Sequence, residues 1–295
     1  MGTLLNINVL KAQIIGIDRH RFLTDGEGVT TLVAFHGCPL DCKYCLNPEC
    51  KTNAKRHESF TPRQLYDKVQ IDDLYFRVTG GGVVFGGGEP LLQSRFIEEF
   101  NDICGDKWSI YIETSLNVDQ CHVERLVSIA DSWIIDIKDW NNDIYRNYTA
   151  CNNFAVKRNL EYLLSNVDAD KIQIRVPLIP YYNTIGDTEH TIAELHKLGI
   201  TDIDKFEYKQ DVASLKEKIH KKNNQITTLD PDSINMGKFR CEVLKSIRIH
   251  AAECNNIPYT PHECPNNMCA TGFCPTCDNE LKKITNEYYK QIKIK

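Results

Sequence analysis

The sequence predicts an α/β fold. Three observations point to it: six short β-rich runs alternate with helical patterns, the alternation stops after Tyr208, and 42% hydrophobic with 25% charged residues over 295 positions is the composition of a globular chain with one large core. Strand and helix in alternation argue for a parallel sheet with right-handed crossovers. Six units are fewer than the eight of a closed barrel, so an open or partial barrel, or a doubly wound sheet, is expected, with chemistry at the carboxyl ends of the strands.

The strands are read at Thr31 to Phe35, Gly82 to Phe85, Trp108 to Glu113, Ser132 to Asp136, Gln173 to Pro177 and Lys205 to Tyr208, each a brief apolar or β-branched stretch followed by polar residues. Thr61 to Val69 opens with Thr61-Pro62, an N-cap followed by proline at the first helical position. Gln93 to Ile103 carries Phe96, Ile97, Phe100 and Ile103 at helical spacing, and Thr188 to Leu198 does so with Ile192, Leu195 and Leu198. Beyond Tyr208, Lys216 to Lys222 reads as a solvated helix, residues 255–276 as loop rich in Pro, Asn and Cys, and Asn279 to Lys295 as a helix with Leu281, Ile284, Tyr288 and Ile292 on one face. This divides the chain into a core, residues 1–210, and a cysteine-rich extension, residues 211–295.

Lys+Arg 35 against Asp+Glu 40 gives a net charge of −5, which supplies no overall footprint for nucleic acid. Runs such as Val83-Val84-Phe85 and Ile134-Ile135 fall far short of the ~20 apolar residues that span a bilayer, and Met1 to Lys11 lacks the basic flank and apolar stretch of a leader. The expectation is a cytoplasmic protein with neither a membrane nor a nucleic-acid partner. In that setting 13 cysteines, an odd number, argue against a disulfide framework and for metal ligation. Cys38, Cys42, Cys45 and Cys50 gather near the start and Cys254, Cys264, Cys269, Cys274 and Cys277 near the end. Cys104, Cys121, Cys151 and Cys241 have no partner spacing and read as small buried apolar residues.

Cys38-x3-Cys42-x2-Cys45 lies directly after the first predicted strand. Three thiolates on one loop suit a 4Fe-4S cluster with one iron left without a protein ligand; a zinc site completed by Cys50 or His36, or reduced cysteines without metal, are the alternatives. Val83-Val84-Phe85-Gly86-Gly87-Gly88-Glu89-Pro90 is a strand running into a glycine-rich turn at the same end of the sheet. Glycine there leaves backbone open to a ligand, and a carboxylate or backbone acceptor binds an ammonium.

Taken together, the CxxxCxxC loop and the GGEP turn resemble the radical S-adenosylmethionine (radical SAM) superfamily. The similarity runs from about Gln13 to Tyr208 and is nearest to activating enzymes of glycyl radical enzymes. It includes Asp25-Gly26-Glu27-Gly28, Glu113-Thr114-Ser115, Asp136-Ile137-Lys138 and Leu178-Ile179-Pro180 followed by Tyr182-Asn183. The resemblance implies a partial (β/α)6 TIM-like barrel in which Cys38, Cys42 and Cys45 hold the cluster and SAM chelates the open iron. It places the SAM amino group at Gly87-Gly88-Glu89, Tyr44 near the adenine, and Thr114, Asp136 and Lys138 near the SAM carboxylate and ribose. Arg175 is either a further cofactor contact or a structural arginine. An electron donor such as flavodoxin or ferredoxin is implied, with reductive cleavage to a 5′-deoxyadenosyl radical that abstracts hydrogen from a substrate.

Two departures bear on the substrate. Where the activating enzymes continue from DGPG to an arginine that helps hold the partner's glycyl loop, Glu27 replaces the proline and Thr30 the arginine, and a threonine hydroxyl does not replace a guanidinium fork. Near the sixth strand the family's Tyr-His ending reads Glu207-Tyr208-Lys209, so no late SAM-binding histidine is assigned. The tail cysteines Cys254, Cys264, Cys269, Cys274 and Cys277 are expected to form a second metal site, an auxiliary 4Fe-4S cluster ahead of zinc. These departures favour a small-molecule substrate, such as a 7-deazapurine base in a queuine lyase-like salvage reaction. Formation of a glycyl radical on a partner protein is the alternative.

Overall fold

A computed structural model describes residues 9–22, 24–53 and 57–208. All six predicted strands are present. They are β2 (Val29–Phe35), β4 (Gly82–Gly87), β5 (Ser109–Thr114), β6 (Ser132–Asp136), β7 (Ile172–Leu178) and β8 (Ile203–Glu207). They pair in parallel in that order, which is the partial TIM-like arrangement. Two further strands extend the sheet. β1 (Ala12–Phe22) runs antiparallel to β2, and β3 (Glu58–Phe60) antiparallel to β1, giving the order β3-β1-β2-β4-β5-β6-β7-β8. The charged second half of β1, Ile17-Asp18-Arg19-His20-Arg21, and the three-residue length of β3 gave no apolar run to read.

The predicted helices appear as α1 (Pro62–Val69), α3 (Ser94–Cys104) and α7 (Ile185–Lys197). In α1, Thr61 accepts from the Gln64 amide while the Gln64 side chain accepts from Thr61, a closed capping box. α7 begins three residues before the expected Thr188, because Thr184 and Asp187 form the same box and stop fraying there. Four helices were not read: α2 (Asp73–Thr79), α4 (Gln120–Leu126), α5 (Asn142–Thr149) and α6 (Phe154–Asn166).

The helices cover one face of the sheet. Phe35, Phe85, Phe96 and Phe100 are each at most 1% exposed and meet edge to face or stacked at 5.3–5.7 Å between centroids, joined by Trp108, Trp133 and Leu163. Alternate residues, including Leu32, Gly86 and Glu113, point to the other, inner face, where a Cβ on Gly86 would stand 3.2 Å from both Leu32 Cδ1 and Glu113 Oε2.

Of the scattered cysteines, Cys104 is buried as expected. Cys121 is exposed on α4, correcting the sequence reading, and Cys151 is half-buried after α5. Cys241, the helices at Lys216 to Lys222 and Asn279 to Lys295, and all five tail cysteines lie outside the described residues. Among the described residues no helix is long and apolar enough to cross a membrane.

Candidate active site

The cysteine loop leaves β2 through Gly37, whose φ of +98° turns the chain back so that its amide donates to the Cys50 carbonyl at 2.8 Å. Backbone bonds fix the loop on two sides. On one, Asp41 and Lys43 amides donate to the Thr149 and Tyr148 carbonyls at the end of α5, at 2.7 and 3.2 Å. On the other, the Glu89 amide donates to the Gly37 carbonyl at 2.8 Å, the Gly88 amide to Phe35 at 2.9 Å, and the Asn47 side chain to the Gly87 carbonyl at 3.1 Å. The cysteine loop and the glycine turn are thus one laced unit at the carboxyl end of the sheet.

Cys38, Cys42 and Cys45 are half-buried and line one cavity with Tyr44, Asn47, Gly87, Gly88, Glu113, Thr114, Ser115, Asp136, Lys138 and Tyr208. Burial pushes the Cys42 thiol up to about 11, whereas hydrogen bonding with Cys50 draws Cys45 down to about 6 and also lowers Cys38. Cys50 is buried beside these two thiols. Among the described residues no three His, Cys, Asp or Glu side chains converge on a common metal point. The donor set nonetheless fits a three-thiolate cluster: three soft ligands on one rigid loop, open on the cavity side.

Several predicted site residues bond to other parts of the chain. The carboxylate of Glu89, 1% exposed, does not face the cavity. It accepts from the Thr114 hydroxyl at 2.6 Å, the Ser115 hydroxyl at 2.6 Å, the Ser115 amide at 3.0 Å and the Leu91 amide at 3.2 Å. It ties the turn to β5, and only the backbone of this stretch remains for an ammonium. Thr114 is committed likewise, since its hydroxyl also accepts from the Leu116 amide at 2.9 Å. Gly87 and Gly88 line the cavity, and packing demands glycine as well: Gly87 has φ +91° and its Cβ would fall 2.6 Å from Ala34 Cα, while a Cβ on Gly88 would collide with the Gly37 carbonyl. Arg175 bonds within the chain. Its guanidinium donates to Glu113 Oε1 and the Thr24 carbonyl, both at 2.9 Å, and it is not among the residues lining the cavity.

Asp136 and Lys138 form no exposed loop pair. Lys138 Nζ lies 2.9 Å from Asp136 Oδ2, with only 8% of the lysine side chain exposed. Burial alone would lower the Lys138 pKa, but Asp136 and the neighbouring Tyr208 outweigh it and hold the ammonium well above the usual lysine range. Tyr44 packs against Tyr148 and Tyr182, at 6.3 and 5.9 Å between centroids, in a cluster that includes Tyr208. Tyr148 and Tyr208 were not assigned from sequence; the only signal was the altered strand ending at Glu207-Tyr208. A larger cavity, about 500 Å³, opens at the amino ends of the strands around Asp25, Glu27, Tyr111, Asp131 and Asp202. It holds none of the predicted site residues, and the chemistry of its lining offers no soft metal ligand.

With fold and site in place, the class is clear. Residues 32–199 match the family described as Radical SAM superfamily, and the chain belongs to it. It is a radical SAM enzyme, and membership implies SAM and a 4Fe-4S cluster as cofactors. Its relatives include the pyruvate formate-lyase-activating enzyme of Clostridium pasteurianum, 31% identical over 189 residues, covering 63% of this chain and 76% of that one. The pyruvate formate-lyase 2-activating enzyme of Escherichia coli strain K12 is 30% identical over 200 residues, covering 57% and 67%. A solved domain of a pyruvate-formate lyase-activating enzyme from Bacteroides vulgatus superposes with a TM-score of 0.33 at 19% identity, covering 44% of this chain and 100% of that one.

Proposed function

We propose that this enzyme is an activating enzyme that removes a hydrogen atom from a backbone glycine of a partner protein, leaving a glycyl radical there. The similarity to pyruvate formate-lyase-activating enzymes at 31% identity carries the reading. One structural observation supports it. The sequence favoured a small molecule partly because Thr30 stands where an arginine is expected, yet Thr30 is 1% exposed and its cross-strand partner on β1 is Arg21. Directly paired residues share a face of the sheet. Arg21 is held by Asp25 at 2.8 Å and Asp18 at 2.7 Å, within electrostatic reach of Glu113 on the inner face. An arginine therefore stands opposite Thr30 on the neighbouring strand.

In this reading Cys38, Cys42 and Cys45 hold the cluster. Gly87 and Gly88 offer backbone, and Asp136, Lys138 and Tyr44 line the space, for SAM. When reduced, cluster and SAM together supply the organic radical that takes the hydrogen atom. The chain's own part is positional: Glu89 and Asn47 fix the glycine turn against the cysteine loop, and Lys138 places positive charge where a carboxylate would otherwise be buried unpaired. The partner's glycine, once deuterated at Cα, should pass deuterium into 5′-deoxyadenosine, and the undeuterated partner should show a glycyl doublet by electron paramagnetic resonance. Deuterium arriving instead from a free base, with no radical on any protein, would overturn the reading.

The small-molecule reading, a 7-deazapurine among the candidates, keeps one observation in its favour: Glu27 and Thr30 remove the proline and arginine of the partner-loop motif. For the extension at residues 211–295, we propose a second metal site drawn from Cys254, Cys264, Cys269, Cys274 and Cys277, iron-sulfur rather than zinc. Metal retained after Cys38, Cys42 and Cys45 are all replaced by alanine is the expected result, and none retained would refute it.

A further inference from the structure

The wall of the cavity formed by the ends of β6 and β8 carries more hydrogen-bond donors than acceptors. The Lys138 ammonium has three N–H groups, and two are accounted for, by Asp136 Oδ2 at 2.9 Å and by the Tyr208 hydroxyl at 3.3 Å. The Tyr208 oxygen accepts from Lys138, so its own O–H must donate elsewhere, and no acceptor takes it among the described residues. Beside it, with ring centroids 6.4 Å apart, the Tyr148 hydroxyl is buried without a partner. Tyr208 is 7% exposed and lines the cavity. An ammonium N–H and a phenol O–H on adjacent atoms of one cavity wall match the two oxygens of a carboxylate, and a charge-assisted pair of this kind is among the stronger hydrogen-bonding arrangements.

We propose that Tyr208 is a ligand-binding residue, its hydroxyl and the Lys138 ammonium forming a two-donor clamp for a carboxylate held in the cavity. The inference rests on the reading of this cavity as the SAM site, and the carboxylate is then that of SAM. Tyr208 thereby supplies from the end of the sheet a contact that sequence could not assign.

The test uses the anaerobically reconstituted full chain and two probes, SAM and decarboxylated SAM, with dissociation constants measured by equilibrium dialysis. Tyr208→Phe keeps the ring and removes the hydroxyl. It should weaken SAM roughly tenfold, the scale of one hydrogen bond to a charged group, and change the affinity for decarboxylated SAM less than about twofold, with iron and sulfide content unchanged. Equal weakening of both probes, or of neither, would overturn the proposal. Lys138→Gln separates the premises. If the wild type shows no preference for SAM over the decarboxylated probe, the site reading fails too; if Lys138→Gln retains the wild-type preference, the lysine does not read the carboxylate and the clamp alone is refuted. If it loses that preference while Tyr208→Phe keeps it, the site reading stands and Tyr208 is refuted. Should Tyr208→Phe not incorporate iron, the wild-type preference decides: less than about tenfold is too small for two charge-assisted donors and overturns the clamp.

Discussion

The Ser115 hydroxyl donates to Glu89 Oε2 at 2.6 Å, and through this bond the end of β5 sets the glycine turn that follows β4. With Thr114 on the other oxygen, the pair converts an acidic residue in a glycine-rich turn into an internal strut. The turn in turn holds the cysteine loop, because the Glu89 amide donates to the Gly37 carbonyl.

Glu89→Gln should therefore act on the fold before it acts on any ligand. The amide sets an NH2 against two of the four donors, one of them a backbone N–H, of Ser115 or Leu91, that cannot rotate away. Leaving one buried polar group unsatisfied costs about 1–3 kcal/mol, and we expect about 2–3 kcal/mol here. Urea denaturation with a shifted midpoint and unchanged slope is the check; wild-type stability with lost SAM binding would instead return Glu89 to the cavity.

Gly87→Ala should be among the most damaging single-methyl additions in the core. The residue sits at φ +91°, and the new Cβ would meet Ala34 Cα at 2.6 Å. Left-handed backbone alone costs about 1–2 kcal/mol, and overpacking a close-packed site adds about 1–3 kcal/mol. Thermal unfolding should show the loss; a melting temperature within a degree or two of wild type would contradict it.

Asp136→Asn keeps an oxygen acceptor for Lys138 but removes the negative charge that pairs its buried ammonium. Breaking a buried pair by removing one partner costs about 3–5 kcal/mol. Because 23% of the Asp136 side chain is exposed, the lower end, about 3 kcal/mol, is expected. The double variant with Lys138→Met should recover part of that loss, which a denaturation cycle over the four proteins measures.

Cys42→Ala should abolish SAM cleavage and deplete iron and sulfide at the loop while leaving the far-ultraviolet circular dichroism intact, since the loop is held by backbone bonds to Thr149 and Tyr148. Undiminished release of 5′-deoxyadenosine would remove Cys42 from the cluster.

Much of the parallel core was legible because buried parallel strands are short continuous apolar runs, as in Val83-Val84-Phe85 and Trp133-Ile134-Ile135. β1 was not, because three of its eleven residues, Asp18, Arg19 and Arg21, are charged, and Arg19 bonds Asp72 at 53 positions' separation. Those partners come together only in the fold. α5 and α6 were missed for a related reason, their buried faces including Tyr145, Tyr148 and Asn159, residues that read as polar until packed.

The sequence by itself determined the parallel alternation, the cysteine spacing, the glycine turn and hence the superfamily, because those are local patterns tied to backbone geometry and ligand chemistry. Tertiary structure alone decided what each polar side chain is for. Glu89 turned inward because two hydroxyls of β5 wait for it, Arg175 because Glu113 and the Thr24 carbonyl do, and Arg21 arrived opposite Thr30 through an antiparallel register no spacing reveals. Hydrogen bonds and charges at long sequence separation carry little trace in the chain order. That is why Tyr208, 70 residues from Lys138, became visible as its partner only in three dimensions.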